Sequence, residues 1–165
     1  SLSEYQLDEM PDLSNAKIGV IVSEWNEQIT LSLYGGCKKT LGELSVKKKN
    51  ILKVNVPGSF ELPAAAKLLI ESKKLDAVIC LGCVIQGETR HFDFVCNGVT
   101  QGIAHLNATQ NTPVIFCVLT DNTLQQSLDR SGGKHGNKGV EAAATAIRMA
   151  ALRKEVAKPT NKIGY

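Results

Sequence analysis

This 165-residue sequence lacks long hydrophobic runs, paired metal-ligand motifs and aromatic clusters. No apolar stretch approaches the ~20 residues a helix needs to span a bilayer, so a soluble chain with no membrane partner is expected. Aromatic residues are 5% of the chain, and none lies beside the one basic run, Lys47 to Lys49. Without rings to stack bases, and with a net charge of only +3 spread among both signs, that run reads as a solvated loop and no nucleic-acid partner is expected. The five cysteines are an odd number, placed mostly in apolar segments (Cys37, Cys80, Cys83, Cys117). They read as small buried hydrophobes in a reducing cytoplasm and not as a disulfide framework. Cys80 and Cys83 spell C-x-x-C, but residues three apart on a strand face opposite ways and no second ligand pair appears, so no metal is expected. Residues 1–14 are acidic and interrupted by Pro11, unlike a secretory signal.

What is present is 43% hydrophobic residues, enough for one domain with a core. Residues 1–15 are polar and aperiodic, and are expected to form an arm lying on a neighbour or a frayed end. The domain is expected over residues 16–156, followed by a tail, 157–165. Residues 17–23 are nearly continuous in apolar character, as a central parallel strand requires. Ile29, Leu33, Cys37, Leu41 and Leu44 then mark a helix face. A second strand, 51–56, turns through Val56-Pro-Gly-Ser-Phe-Glu-Leu-Pro63 into a helix with Leu62, Ala65, Leu69 and Ile70 on one side. The third strand, 76–84, leads through a polar turn to a helix with Phe92, Val95, Val99 and Ile103, ending near Leu106. A fourth strand, 113–119, a short helix, 123–129, a glycine-rich turn, 132–139, and a long last helix complete the chain. The order βαβαβαβα predicts an α/β fold: a doubly wound, four-stranded parallel sheet with helices on both faces, in three layers.

In such sheets ligands bind outside the carboxyl ends of the strands. Trp25, the 59–61 turn, the stretch 82–95 and the loop after Leu119 all arrive at that rim. A lone tryptophan plugs a core by default; here it is alternatively a flat platform for a heterocycle. Ser59 suits a cap, and Glu61 suits either the helix dipole or a carboxylate facing the rim. Gly87, Glu88 and Thr89 offer main-chain N–H donors beside a helix N-terminus, a site for a small anion. Arg130 offers a planar fork for phosphate oxygens, against a plain surface ion pair. Lys138 follows Asn137, a helix N-cap, so its cation sits where the macrodipole disfavours it, which points to an anionic ligand. His91 is the residue able to move protons near neutrality, whereas His105 and His135 lack its position. There is no G-x-x-x-x-G-K-[ST] loop, no G-x-G-x-x-G after the first strand and no G-x-S-x-G elbow, which disfavours nucleoside triphosphates, dinucleotides and serine hydrolysis. A Cys83 nucleophile with His91 as base lacks a third, orienting group.

Taken together, these motifs resemble the lumazine synthases of riboflavin biosynthesis, over residues 17–153. The resemblance is carried by Trp25-Asn26 with Ile29-Thr30, residues 56–63, 82–95 and 113–120, Gln126 to Arg130, and Gly139-Val-Glu-Ala-Ala143. It implies a flavodoxin-like fold and a transferase that needs no cofactor. That enzyme condenses 5-amino-6-(D-ribitylamino)uracil with 3,4-dihydroxy-2-butanone 4-phosphate, releasing phosphate and water. Trp25 would stack on the pyrimidine, where many members carry phenylalanine. Ser59, Phe60 and Glu61 would hold the ribityl chain, and Cys83, Val84 and Ile85 would meet the pyrimidine edge. Glu88 and Thr89 would receive the phosphate through main-chain donors, with Arg130 as clamp and Lys138 nearby, and His91 would transfer protons.

The resemblance also implies a homopentamer whose neighbouring subunit closes the pocket with Phe116, a residue that core packing alone would otherwise explain. Some members assemble twelve pentamers into a 60-subunit icosahedral shell. The short 132–138 turn favours the shell and Pro11 argues against it. Association with riboflavin or riboflavin synthase is a further implied partner. Two other readings of the chain are a flavin-sequestering protein of the same fold, which leaves His91, Arg130 and the 88–89 turn without shared purpose, and an oligomeric scaffold, which leaves the whole polar rim unexplained.

Overall fold

Strands buried on both faces show no polar alternation, and β1 (Ile18–Ser23) and β3 (Ala77–Ile85) are built that way, with β3 buried over its first seven residues. The computed structural model describes residues 10–159. After β1 come α1 (Glu27–Glu43), β2 (Ile51–Val56), α2 (Leu62–Ser72), β3, α3 (His91–Thr109), β4 (Val114–Asp121), α4 (Leu124–Arg130), β5 (Ser131–Gly133), β6 (Gly136–Asn137) and α5 (Lys138–Ala157). The four long strands form one parallel sheet in the order β2-β1-β3-β4, with Ile18 opposite Ile51 and Ala77, and Val78 opposite Val114. This is the doubly wound, flavodoxin-like order.

Alternate residues of each strand feed two separate cores. Ile18, Val20 and Val22 of β1, Ile79 and Leu81 of β3, and Ile115 and Cys117 of β4 pack with Ile29, Leu33 and Cys37 of α1 and Ala143, Ala146 and Ile147 of α5. Ile21, Val78, Cys80, Val114 and Val118 face the other way, onto Leu62 and Ala66 of α2 and Val99 and Ile103 of α3. Cys80 and Cys83 thus fall in different cores, which rules out a shared ligand, and no metal-binding cluster occurs among the described residues. No helix among them is long and apolar enough to cross a membrane.

Several boundaries differ from the sequence expectation. α3 runs on to Thr109, and β4 continues to Asp121 because it stays paired with β3 as far as Ile85. The glycine-rich turn folds into an antiparallel ribbon, β5 with β6, that Asn137 ties to α1 by donating to the Ser32 carbonyl at 2.9 Å. Asn137 caps α5 as expected, its Oδ1 accepting from the Gly139 N–H at 2.8 Å. The arm is corrected in part. Leu13 is buried in the domain's own core, with Met10 packed against that core, because an apolar side chain gains by leaving water. The rest of the arm, residues 1–9, and the tail from 160 to 165 lie outside the described residues.

Candidate active site

At the end of β1 the chain must reverse into α1 at once, and Asn26 does this in the left-handed region at φ 61°, ψ 47°. Asparagine tolerates that conformation better than most residues. Its side chain is fixed as well, Nδ2 donating to the Cys83 carbonyl at 3.0 Å. The turn leaves Trp25 outside the core. Its indole is 66% exposed and lies across Gly58, where any Cβ would collide with the ring. The default of a core plug is therefore wrong, and the platform reading fits. Gly58 is held in turn by Glu61, whose Oε2 accepts from the Gly58 N–H at 3.0 Å.

Ser59 makes no capping bond, contrary to its sequence reading. Its side chain is pressed against Gly82 of β3, and the buried Oγ has no partner. Phe60 lies over Gly98 of α3, and one turn on Pro63 lies over Gly102, so two glycines four apart let the 59–63 segment sit on the helix backbone. Phe60 is 59% exposed on its other side.

His91 is the first residue of α3 and not part of the preceding loop; its main-chain N–H donates to Thr89 Oγ1 at 3.3 Å. Trp25 and Asn26, Ser59 to Glu61, Cys83 to Ile85, and His91, Phe94 and Val95 line one open cleft of about 500 Å³. Glu88 and Thr89 do not line it; they are exposed in the lip loop, residues 86–90, which runs from Ile85 to His91. Among the described residues, the main-chain N–H groups of Gly87, Glu88, Thr89 and Arg90 donate to no protein acceptor. Unpaired donors on successive residues just before a helix N-terminus suit a phosphate.

Phe94 was missed by sequence reasoning. It is 67% exposed with the Arg90 guanidinium 5.9 Å from its ring centre. The available signal was its phase: an aromatic off the Val95–Val99–Ile103 stripe is either wasted or used. Asn26 had no such signal, since its role is conformational.

Cys83 stands on the cleft floor with its thiol turned inward. The S–H donates to Ser127 Oγ at 3.4 Å, and the Ser127 hydroxyl donates to Asp121 Oδ2 at 2.8 Å. Burial pushes this thiol up, with the Ser127 hydrogen bond acting against it and the Asp121 charge adding to it. A protonated, inward-facing thiol is a poor nucleophile, which removes the Cys83–His91 hydrolase reading.

Arg130, Lys138 and Phe116 are not in the cleft either. Arg130 ends α4 and donates from Nη1 to the Gln126 carbonyl at 2.9 Å. Lys138 pairs with Glu141 at 2.8 Å, which gives its cation at the helix start a partner within the same turn. Phe116 is 43% exposed on edge strand β4, so core packing does not explain it. It shares an open groove with Lys138 and Glu141. A larger trough, about 690 Å³, continues along the start of β4 and the end of α5 past Met149, Leu152 and Val156. It holds no cluster of titratable groups able to do chemistry.

The family model for 6,7-dimethyl-8-ribityllumazine synthase matches residues 15–154. The chain belongs to that family. Among curated relatives, the 6,7-dimethyl-8-ribityllumazine synthase of Flavobacterium johnsoniae is 56% identical over 155 residues, covering 94% of this chain and 82% of the relative. The one from Parabacteroides distasonis is 56% identical over 149 residues, 90% of this chain and 93% of the relative. That from Phocaeicola vulgatus is 49% identical over 158 residues, 96% and 94%.

Proposed function

We propose that the cleft binds 5-amino-6-(D-ribitylamino)uracil on Trp25 and joins it to 3,4-dihydroxy-2-butanone 4-phosphate, whose phosphate lies at the 87–90 lip. The observation that carries this reading is the sharing of one cleft by Trp25, Ser59 to Glu61 and His91, with the unpaired N–H groups of residues 87–90 immediately before His91 in the chain. The primary amine attacks the ketone and loses water to give an imine. Phosphate then leaves as a proton is removed, and closure of the second ring follows with loss of a further water. His91, at the mouth of the helix, takes and returns protons in these steps. Ser59, Phe60 and Glu61 hold the ribityl chain; the free Ser59 Oγ is suited to a ligand hydroxyl. Cys83, Val84 and Ile85 meet the pyrimidine edge.

Arg130, Lys138 and Phe116 enter this reading through assembly. A second copy seated on the exposed β4 and α5 surface covers Phe116, Met149, Leu152 and Val156 and brings further side chains to a neighbour's cleft. A homopentamer, and a 60-subunit shell built from pentamers, follow the family resemblance, as does a cytoplasmic location. Sedimentation at low phosphate and with ligand distinguishes the two assemblies. Indole is a larger platform than phenylalanine, so riboflavin is held more tightly here. Trp25→Phe is expected to weaken flavin binding in a fluorescence titration, and unchanged affinity would remove that part.

The test of the function is to mix purified protein with both substrates and follow lumazine absorbance, comparing wild type with Arg130→Ala. Product from the wild type, with a strongly raised KM for the phosphate-bearing substrate in the variant, is expected. No product, with flavin still quenching Trp25 fluorescence, would favour a flavin-binding protein.

A further inference from the structure

α4 has seven residues, too few for a helix to hold by itself. Its position comes from side-chain ties. Thr123 Oγ1 accepts from the Gln126 N–H at 3.2 Å, Gln126 Oε1 accepts from the Asn122 N–H at 2.8 Å, and Ser127 joins Asp121 and Cys83. Ser127 is fully buried, and its single hydroxyl is used in both directions. The Asp121 carboxylate can only accept, and the protonated Cys83 thiol donates, so the chain runs from thiol to hydroxyl to carboxylate.

Both ends of this chain lead to the cleft. Cys83 is on the floor, and its carbonyl accepts from Asn26, the residue that turns Trp25 outward. The Asp121 carbonyl accepts from the Gln86 N–H at 2.9 Å, where the lip loop begins. Neither Asp121 nor Ser127 lines the cleft. A purely stabilising contact between α4 and the sheet would not need polarity here, because apolar packing of equal volume avoids the desolvation of a hydroxyl and a carboxylate.

We propose that Ser127 and Asp121 are positioning residues of the condensation, holding the cleft floor at Cys83 and the start of the lip loop at Gln86 in place. The inference rests on the function proposed above. Ser127→Ala is expected to raise KM for the phosphate-bearing substrate about tenfold, the scale of one hydrogen bond to a charged group, with a smaller change for the uracil substrate. Asp121→Asn keeps an acceptor oxygen for Ser127 and should stay near wild type in both constants, whereas Asp121→Ala should behave like Ser127→Ala. Thermal melting of each protein separates positioning from folding, and the Asn/Ala contrast at 121 carries the test if Ser127→Ala does not fold. The proposal is overturned if Ser127→Ala leaves both KM values unchanged, if activity falls only in proportion to folded protein, or if Asn and Ala at 121 are equally impaired. A wild type that makes no lumazine sinks the function; an active wild type matched by Ser127→Ala sinks only the positioning role.

Discussion

Gly98→Ala separates the stability of this fold from its chemistry. A Cβ at position 98 would lie 2.6 Å from Phe60 Cε2 and 3.2 Å from Cδ2. Carbon atoms in contact sit about 3.5–4.0 Å apart, so the ring must move by roughly 1 Å. It has room, being 59% exposed, and the rotation costs about 1 kcal/mol in rotamer strain. Alanine inside α3 is favoured over glycine by a similar amount, about 1 kcal/mol. The two offset, so the melting temperature should move by no more than a few degrees, about what 1 kcal/mol shifts in a chain of this size. Activity has no such compensation. Displacing the wall that orients a substrate by about 1 Å costs on the order of 10- to 100-fold in kcat/KM. Melting curves and initial rates of lumazine formation measure both. An unshifted melting curve with kcat/KM close to wild type would refute the placement of Phe60 as a wall of the site. A collapse in stability would show instead that the Phe60–Gly98 seam is structural.

His91→Ala should slow turnover by ~10²–10⁴-fold without abolishing it, because holding two substrates together survives the loss of the imidazole. Complete loss of turnover with intact ligand binding, measured by Trp25 quenching, contradicts that. The buried thiols predict an alkaline limit. Burial pushes Cys80 and Cys117 up to about 12, and Cys37 well above its usual range. Their folded-state values are raised, so their contribution is intact below the unfolded thiol pKa of about 8.5 and is lost as pH climbs towards the folded values. Each costs about 1.4 kcal/mol per pH unit in that window. Urea midpoints should be flat from pH 6 to 8 on this account and fall above about 9. Cys80→Ala should fall less steeply, and equal slopes would count against the assignment.

The central strands were legible because burial on both faces leaves a signature no other element leaves: unbroken β-branched runs such as Val20-Ile21-Val22. Asn137 was legible as a cap because its side chain acts on the residue two ahead. The β5–β6 ribbon was not, since strands of three and two residues carry no period, and its register is set by Asn137 reaching Ser32, 105 residues away. Trp25 could not be placed from its type alone. Its exposure follows from one left-handed backbone position at Asn26 and from bare backbone at Gly58, both tertiary in effect. Arg130 and Lys138 were legible as cations near the rim, but where their charges go is decided by Gln126 and Glu141. Leu13 shows the opposite failure: one apolar residue in a polar arm is too weak a pattern to read.

The two cores on opposite faces of the sheet divide the labour of the molecule. Trp25, Phe60, His91 and Phe94 are set by the ends of β1, β2 and β3 and by the α2–α3 layer, whereas α1 and α5 act as a keel behind them. Drift on the inward faces of the keel is answerable to packing, so sequence there can wander among small and aliphatic residues, while Lys138 at the start of α5 and its exposed Met149, Leu152 and Val156 answer to assembly. The other layer has no such freedom. Its glycines at 58, 82 and 98 are the sockets in which Trp25, Ser59 and Phe60 are seated, and new substrate preferences would have to be sought by reshaping what fills those sockets, with the keel left as it is.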